Sequence, residues 1–330
     1  MKISIIIVHY NTKDMLCKCL DAIDEWGPSE QIENIIVDNA STYDISQIVC
    51  KHEPNSKLVA NDRNYGWAKA ANIGIISSSG EYILFITPGT LVTESLIQKL
   101  GVFLDEHPEA GGAGPAQVNE HGIIQPIYTG AGVIRGIWVW QKLRSLFPTH
   151  SAYPADKIAP GSDKVAVSCL SGFCFMVRRS ALLETGYFDE WPFMFGEEID
   201  LSLRLNQFGW KCYVLPNLLA VHYQGSSYKS NPSLRRWVED CRLASRYYWR
   251  RKHYGYIFGF LESSIGGLNF LTRAIYNLLL IPITSKQNGL TRVVEDFRYF
   301  RTSLKLVVFG QRYANKIMAV ARHRGNVSRH

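Results

Sequence analysis

The chain has 330 residues and a net charge of +7 at pH 7; 46% of its residues are hydrophobic, 20% charged and 12% aromatic. This length exceeds a typical domain of about 100–200 residues, so we expect one large domain with an extension, and the composition excludes a mainly disordered protein. The seven cysteines are dispersed and never spaced CxxC, which argues against a disulfide framework and a zinc knuckle.

Strands alternating with helices are predicted for the first third of the chain. "KISIIIVHYN", "IENIIVDNAS" and "EYILFIT" are short apolar runs rich in β-branched residues, as in buried parallel strands. "TKDMLCKCLDAIDEW", "YGWAKAANIGIISS" and "TESLIQKLGVFLDEHP" read as helices between and after them. The alternation predicts an α/β domain with a mainly parallel sheet flanked by helices.

The pattern weakens after Gly111, and the stretch to about Lys164, rich in Gly, Pro and aromatic residues, predicts loops and short strands. Order returns with "KVAVSCLSGFCFMVRRSALLETG", a strand followed by a helix, and with the strand "WKCYVLPNLLAVHYQG". A long helix is predicted from Pro232. We therefore expect one α/β domain over residues 1–230 and a helical extension over 231–330.

The extension is the basic part of the chain. From residue 231 onward 18 Lys and Arg face 5 Asp and Glu, a net charge of +13, which leaves −6 for residues 1–230. Such a segment suits an anionic membrane surface or nucleic acid, and a solvated basic helix face is the alternative. Glu262, Arg273 and Pro282 interrupt its longest apolar stretch, which leaves no run of the ~18–20 residues that span a bilayer.

Two motifs that the sequence lacks bear on the location and the partners of the protein. The first residues carry a single Lys and a short apolar run with no small-residue cleavage site, so we expect no signal peptide and a cytoplasmic location. No RNA- or DNA-binding motif accompanies the basic charge, so we expect no nucleic-acid partner and favour the membrane surface.

Polar side chains follow the first two strands. Ligands of doubly wound sheets bind beyond the carboxyl ends of the strands, and the residues there are Tyr10, Asn11, Asp38, Asn39 and Ser41. An aromatic ring stacks on a base and an Asp accepts from a pyrimidine N–H, so this set suits a nucleotide. A turn capped by Asp38 and Asn39 is the structural alternative.

The stretch "NDRNYGWAKAANIGI" adds Asn64, Lys69 and Asn72 to this set. Its small residues let a helix approach both the sheet and a ligand closely. Tight helix packing alone would explain the alanines but not Asn64 and Asn72.

Three carboxylates follow directly after a run of aromatic residues in "EWPFMFGEEIDLSLRLNQFG". Glu197, Glu198 and Asp200 precede an apolar helix face and therefore lie in its first turn, where the helix dipole favours one or two acids. Aromatic rings at Trp191, Phe193 and Phe195 lower the local dielectric and raise carboxyl pKa values, which favours a general base among the three.

Five stretches carry a family resemblance. "SIIIVHYNT", "IIVDNAST", "NDRNYGWAKAANIG", "SGFCFMVRRSALLETGYFDEWPFMFGEEIDLSLRLNQFGW" and "YVLPNLLAVHYQGSS", in this order over about residues 2–228, resemble the family 2 inverting glycosyltransferases of GT-A fold. The chain is similar to the bacterial rhamnosyltransferases that build O-antigen, capsule and cell-wall linker polysaccharides. "RYYWRRKHYG" resembles the basic, aromatic segment that often follows the catalytic domain in that subgroup.

The resemblance implies a role for each motif. It makes Tyr10, Asn11, Asp38 and Asn64 contacts to the nucleotide base and ribose, and Glu198 the base that deprotonates the acceptor hydroxyl. Asp200 and Glu197 would cap, orient or bind acceptor hydroxyls. The aromatic side chains Trp191, Phe193 and Phe195 would form a stacking wall for sugar.

The chain departs from the family at its metal site. The family holds Mg²⁺ or Mn²⁺ with an acidic residue after its third long strand, and this chain reads "FITPGTLV" there, with Gly89 at the acidic position. His222 matches a family His that ligates the metal or contacts the diphosphate. Three explanations are open. Basic groups such as Lys69, Arg178 or arginines of the extension could neutralise the diphosphate. Alternatively, His222 and the diphosphate alone could hold a metal, or the protein could be non-catalytic.

The resemblance implies an enzyme that transfers a sugar, L-rhamnose from dTDP-L-rhamnose being favoured, to a lipid-linked saccharide in surface polysaccharide synthesis. Its extension would hold it at the inner face of the cell membrane. A non-catalytic nucleotide-sugar-binding or scaffold subunit of a polysaccharide assembly complex is the alternative, and it follows from Gly89.

Overall fold

The structure is a computed structural model that describes residues 2–24, 31–52, 56–125, 127–128, 152–153, 163–223, 232–280 and 286–327. Its strands are β1 (Ile3–His9), β2 (Ile32–Asp38), β3 (Lys57–Ala60), β4 (Tyr82–Ile86), β5 (Thr90–Leu91), β6 (Ala110–Val118), β7 (Ile127–Tyr128), β8 (Ala152–Tyr153), β9 (Val165–Val167), β10 (Cys174–Arg178) and β11 (Lys211–His222). Its helices are α1 (Lys13–Asp24), α2 (Ser46–His52), α3 (Trp67–Ile76), α4 (Glu94–Glu106), α5 (Arg179–Thr185), α6 (Glu197–Gln207), α7 (Pro232–Tyr254), α8 (Tyr256–Leu280) and α9 (Lys286–Val327).

A central sheet organises the first part of the chain, in the order β3-β2-β1-β4-β10-β6-β11-β5, with β9 beside β11. The strands β3, β2, β1 and β4 are parallel, as predicted. Beyond them the sheet is mixed, because β10 runs antiparallel to both β4 and β6. The α/β fold with flanking helices is thereby confirmed.

Two apolar layers cover the faces of this sheet. The side chains of β1 alternate between them: Ile3, Ile5 and Ile7 face one layer with α1 and α4, and Ile6 faces the other with α3. All seven residues of β1 are buried, which explains its continuous apolar run.

The strand β6 is a feature that the sequence pattern missed, since we expected loops and short strands after Gly111. Its sequence AGGAGPAQV has few β-branched residues, yet it is a nine-residue strand between β10 and β11. Its glycines permit close packing: a Cβ at Gly111 would lie 2.7 Å from Trp210 Cβ, and one at Gly112 would lie 2.9 Å from Leu170 Cδ1.

The helices α7, α8 and α9 form the predicted extension and pack on one another. They also share a core with the α/β part, in which Phe193 packs among residues of α7 and α9 such as Tyr247, Leu306 and Met318. The predicted boundary at residue 230 lies outside the described residues. Within the described ranges, no helix combines the length and hydropathy needed to cross a membrane.

Candidate active site

The carboxyl ends of β1, β2 and β4 lie at one edge of the sheet, and the loops after them form one side of the candidate site. The loop before β10 links this edge to the acidic helix α6. The ring of Phe173 stacks on His222 with centroids 5.4 Å apart, and a Cβ at Gly172 would lie 3.3 Å from Glu198 Cδ. The fold therefore brings His222 and Glu198 to opposite sides of one short loop.

Two buried asparagines brace the loops of this edge. Asn39 donates from Nδ2 to Asn64 Oδ1 at 2.8 Å, and its Oδ1 accepts from the Tyr65 N–H at 3.0 Å. Asn64 Oδ1 also accepts from the Gly66 N–H at 2.9 Å. The amides predicted to bind a nucleotide thus hold the loop between β3 and α3 in place.

The other predicted nucleotide contacts lie at the strand ends as expected. Asp38 Oδ1 accepts from the Ser41 N–H at 3.2 Å. This hydrogen bond caps a turn, which is the alternative to nucleotide binding that the sequence suggests for Asp38. Asn11 has a positive φ of 52°, and its Oδ1 accepts from the Thr42 N–H at 2.9 Å. Tyr10 donates its hydroxyl proton to the Gly325 carbonyl at 2.9 Å, so the end of α9 lies over its ring edge.

Asn72 does not face a ligand. Its Nδ2 donates to the Phe188 carbonyl at 2.9 Å and to Glu190 at 3.1 Å, while its Oδ1 accepts from the Phe188 N–H at 3.0 Å. Its buried side chain therefore ties α3 to the segment before α6, which corrects the predicted nucleotide contact. Lys69 is half exposed, 3.8 Å from Glu190 and 4.7 Å from the centroid of the Tyr65 ring.

The acidic helix α6 starts at a left-handed Gly196, whose φ of 89° suits only glycine at low cost. All three carboxylates lie in its first turn, as predicted. Burial raises the pKa of Glu198, against backbone N–H groups and the Arg242 charge that lower it. Burial and the Glu198 charge raise the pKa of Glu197 well above its usual range. Both directions favour a carboxylate that accepts a proton readily.

Asp200 is in the opposite electrostatic state. Burial would raise its pKa, but hydrogen bonds from His253 at 2.8 Å and Lys252 at 2.6 Å, with the charge of Arg204, hold that pKa well below its usual range. Its carboxylate therefore stays ionised and orients α6 against the extension. Its carboxylate oxygens are engaged by these three side chains, which leaves an orienting role rather than contact with an acceptor hydroxyl.

The aromatic run packs on the extension instead of forming an open wall. Phe193 is only 1% exposed, and its ring lies 5.7 Å from that of Trp237. Trp191 stacks on Tyr248 at 3.9 Å between centroids, and Arg242 lies over the ring of Phe195. The expected stacking wall for sugar is thereby corrected for Phe193, whose ring is covered on all sides by protein.

The predicted metal site lacks carboxylates. His222 lies 3.1 Å from Gln117 Nε2 through Nδ1 and 3.4 Å from Thr87 Oγ1 through Nε2. A Cβ at Gly89 would lie 3.2 Å from the Tyr223 carbonyl oxygen, so this position is backed by main chain. Over the residues that the structure describes, no three His, Cys, Asp or Glu side chains come together as a metal-binding group. This donor set does not fit a hard divalent cation, which prefers several oxygen ligands.

Arg178 is excluded as a partner of a diphosphate. It pairs with Tyr82 at the start of β4, whereas Cys174 pairs with Ile86 at its end. Its guanidinium donates to the Tyr82 hydroxyl and the Leu104 carbonyl, at the edge of the sheet remote from the site.

Sequence reasoning missed the groups that the extension supplies. Arg242 of α7 acts on Glu198, and Lys252 and His253 hold Asp200. The spacing of "RYYWRRKHYG" carried the signal, since Tyr248 and Lys252 lie four residues apart on one face of a helix. These two side chains and the next residue, His253, all contact the segment 189–200.

The chain is similar in sequence to known glycosyltransferases. The chain is 28% identical over 218 residues to N-acetylglucosaminyl-diphospho-decaprenol L-rhamnosyltransferase of Mycobacterium tuberculosis, covering 60% of this chain and 69% of that protein. It is 28% identical over 111 residues to the poly(ribitol-phosphate) β-N-acetylglucosaminyltransferase TarS of Staphylococcus aureus, covering 32% of this chain and 19% of that protein.

Solved structures show the same fold. The mannosyltransferase PcManGT from Pyrobaculum calidifontis, in complex with GDP-Man and Mn²⁺, superposes with a TM-score of 0.56 at 14% identity, covering 93% of this chain and 87% of that one. Residues 4–186 match the family described as Glycosyl transferase family 2. The matched region exceeds half of the chain, and the chain therefore belongs to glycosyl transferase family 2, as a glycosyltransferase of GT-A fold.

Proposed function

We propose that this glycosyltransferase transfers L-rhamnose, with inversion, from dTDP-L-rhamnose to a lipid-linked saccharide in the synthesis of a surface polysaccharide. The observation that carries the proposal is Glu198, whose carboxylate lies beside Gly172 with a pKa raised by burial. The donor and acceptor classes are supported by the similarity to a rhamnosyltransferase whose name gives a diphospho-decaprenol acceptor.

The mechanism uses one base. Glu198 removes the proton of the acceptor hydroxyl, and the oxygen attacks C1 of the sugar from the face opposite the diphosphate. The bond from C1 to the diphosphate oxygen breaks, and the nucleoside diphosphate leaves with both electrons of that bond. Lys69 is the half-exposed cation beside the nucleotide loop, and we assign it to the charge of the leaving group. Glu197 and Asp200 position the turn that carries Glu198.

Replacing Glu198 tests this function. Glu198→Gln keeps the shape but cannot accept a proton, so we expect the rate of rhamnosyl transfer to fall at least about a hundredfold. Glu94→Gln is the matched control, because Glu94 also lies in the first turn of a helix, but its carboxylate accepts from Gln98 of that same helix. Binding of dTDP, measured by calorimetry, should be unchanged in both variants. Transfer by Glu198→Gln at the rate of the unaltered enzyme would exclude Glu198 as the base.

We further propose that the extension binds the inner face of the cell membrane. Exposed apolar side chains line α9 at helical spacing, and we call them the apolar stripe: Leu290, Val294, Phe297, Leu304 and Val308. The exposed Arg301 lies within this spacing, and the extension as a whole is strongly basic. An apolar stripe with surrounding cations fits an anionic lipid surface.

The double substitution of Val294 and Val308 by Ser should lower sedimentation with phosphatidylglycerol vesicles several-fold. Leu183→Ser is the control, because Leu183 is 62% exposed but lies on α5, outside the extension. Neither variant should change thermal stability by more than about 0.5 kcal/mol. Equal vesicle binding by both variants and the parent would disprove the role of the apolar stripe.

A non-catalytic, nucleotide-sugar-binding subunit is the second candidate, favoured by the absence of a carboxylate at Gly89. Two measurements together distinguish the glycosyltransferase from the non-catalytic subunit. They are the transfer assay and thermal unfolding with dTDP, UDP and GDP, each with Mg²⁺ and with EDTA. A nucleotide at about 100 times its Kd stabilises the fold by about 2.7 kcal/mol. Stabilisation without transfer to any lipid-linked acceptor would favour the non-catalytic subunit.

A further inference from the structure

A cavity of about 680 Å³ lies between the acidic helix and the extension. Glu198 lines it together with Ser171 of the loop before β10, and the remaining lining comes mainly from α7, α8 and α9. The cavity is large enough for a disaccharide-sized or diphosphate-bearing group. Since the base of the proposed reaction faces it, this space is where an acceptor can meet Glu198.

Three buried polar atoms of cavity-lining residues have no hydrogen-bond partner among the described residues, and one of them, Glu262 Oε2, lies 3.5 Å from Arg250 Nε in an ion pair. The other two are Trp249 Nε1 and Ser303 Oγ, on residues that are 3% and 1% exposed. Buried polar groups in folded proteins are almost always paired, and leaving them unpaired costs free energy. Both can donate a hydrogen bond, so a ligand rich in oxygen atoms would satisfy them.

Among the described residues that line the cavity, Arg246 is the arginine that forms no ion pair with a carboxylate. The carboxylates of Glu239, Glu262 and Glu295 are each paired with an arginine of the extension. Arg246 lines the cavity one helical turn after Arg242, and no carboxylate of the described residues lies within ion-pair distance of it. An arginine with its N–H donors free is suited to a phosphate group, which it can bind through two parallel hydrogen bonds.

We infer that this cavity is the acceptor site and that Arg246 binds the diphosphate through which the acceptor saccharide is attached to its lipid. The inference rests on the proposed function for the identity of the acceptor. The saccharide hydroxyl then reaches Glu198, while Trp249 and Ser303 donate to acceptor oxygen atoms. The extension thus forms part of the active site in addition to meeting the membrane.

The test measures binding of geranyl diphosphate to the full-length protein by calorimetry, without any turnover. Arg246→Gln should weaken this binding about tenfold, which corresponds to about 1.4 kcal/mol. Arg292→Gln is the matched control, because Arg292 is an exposed arginine of the extension that does not line the cavity, and its affinity should stay within about twofold. Geraniol, which lacks phosphate, should bind both variants equally.

The outcomes separate this site from the proposed function. Equal affinity of Arg246→Gln and the unaltered protein for geranyl diphosphate, or no binding by either, would overturn the inference. A matching loss of dTDP affinity in Arg246→Gln would also overturn it, because the arginine would then serve the donor. Selective loss of diphosphate affinity, in a protein that transfers no rhamnose, would uphold the site and refute the rhamnosyl assignment.

Discussion

The first turn of α6 lies between two regions built from different chemistry. On the sheet side, neutral side chains such as Asn39, Asn64 and Asn72 satisfy one another and the main chain. On the extension side, Asp200 is held by Lys252 and His253, both from α7. The asparagines of the sheet edge are held by neutral hydrogen bonds, whereas the acidic turn depends on charged side chains of the extension.

This difference explains the three neighbouring carboxylates. Asp200 is stabilised as an anion by the extension, and the pKa values of Glu197 and Glu198 are raised by burial. One turn of helix therefore carries a structural anion and a proton acceptor. The extension thus sets the electrostatic state of this turn, and three substitutions break or sharpen this contrast between the two regions.

The largest effect is expected from Asp200→Asn, which removes the charge at the centre of the contact. Breaking one partner of a buried ionic network costs about 3–5 kcal/mol, because Lys252 and Arg204 lose their counter-charge. The free energy of unfolding in urea measures this loss. Asp163→Asn, at an exposed site on the sheet side, should change it by about 0.5 kcal/mol or less. Similar values for both variants would refute the dependence on the extension.

A smaller effect is expected where the end of α9 meets the sheet edge. A Cβ at Gly325 would lie 2.7 Å from Phe193 Cζ, so Gly325→Ala should destabilise the fold by about 1–3 kcal/mol through overpacking. Gly266→Ala is the matched helical control, with no atom within 4 Å of the new Cβ, and should stabilise by about 0.5–1 kcal/mol. Urea unfolding of both variants measures the difference. If Gly325→Ala also stabilises, the close approach is incorrect.

The smallest effect concerns pH. The pKa of Glu197 is raised from 4.5 in the folded chain, so its contribution to stability is full below about pH 4.5 and is lost as the pH rises through the folded pKa. Glu197→Gln removes this loss, because the glutamine side chain does not titrate. The melting temperature of the variant relative to the parent should therefore be higher at pH 8 than at pH 5. A difference independent of pH would exclude a raised pKa at Glu197.

Local patterns predicted most of the elements. The apolar runs at β1, β2 and β4 and the helical spacing at α1, α3 and α4 fixed their type, because burial on a sheet face requires those periods. β6 was missed because its glycines reflect contacts with Trp210 and Leu170, which are remote in sequence. Asn72 was misread for the same reason, since its partner Phe188 lies 116 residues away.

The sequence by itself determined the α/β fold, the family, the position of the acidic turn and the basic charge of the extension. Each of these depends on the order and type of neighbouring residues. Only the tertiary structure decided which carboxylate is ionised, that Phe193 is buried, that Gly325 reaches Tyr10 and that Arg246 and Glu198 line one cavity. Burial and ion pairing set these properties, and both arise between residues that only folding brings together.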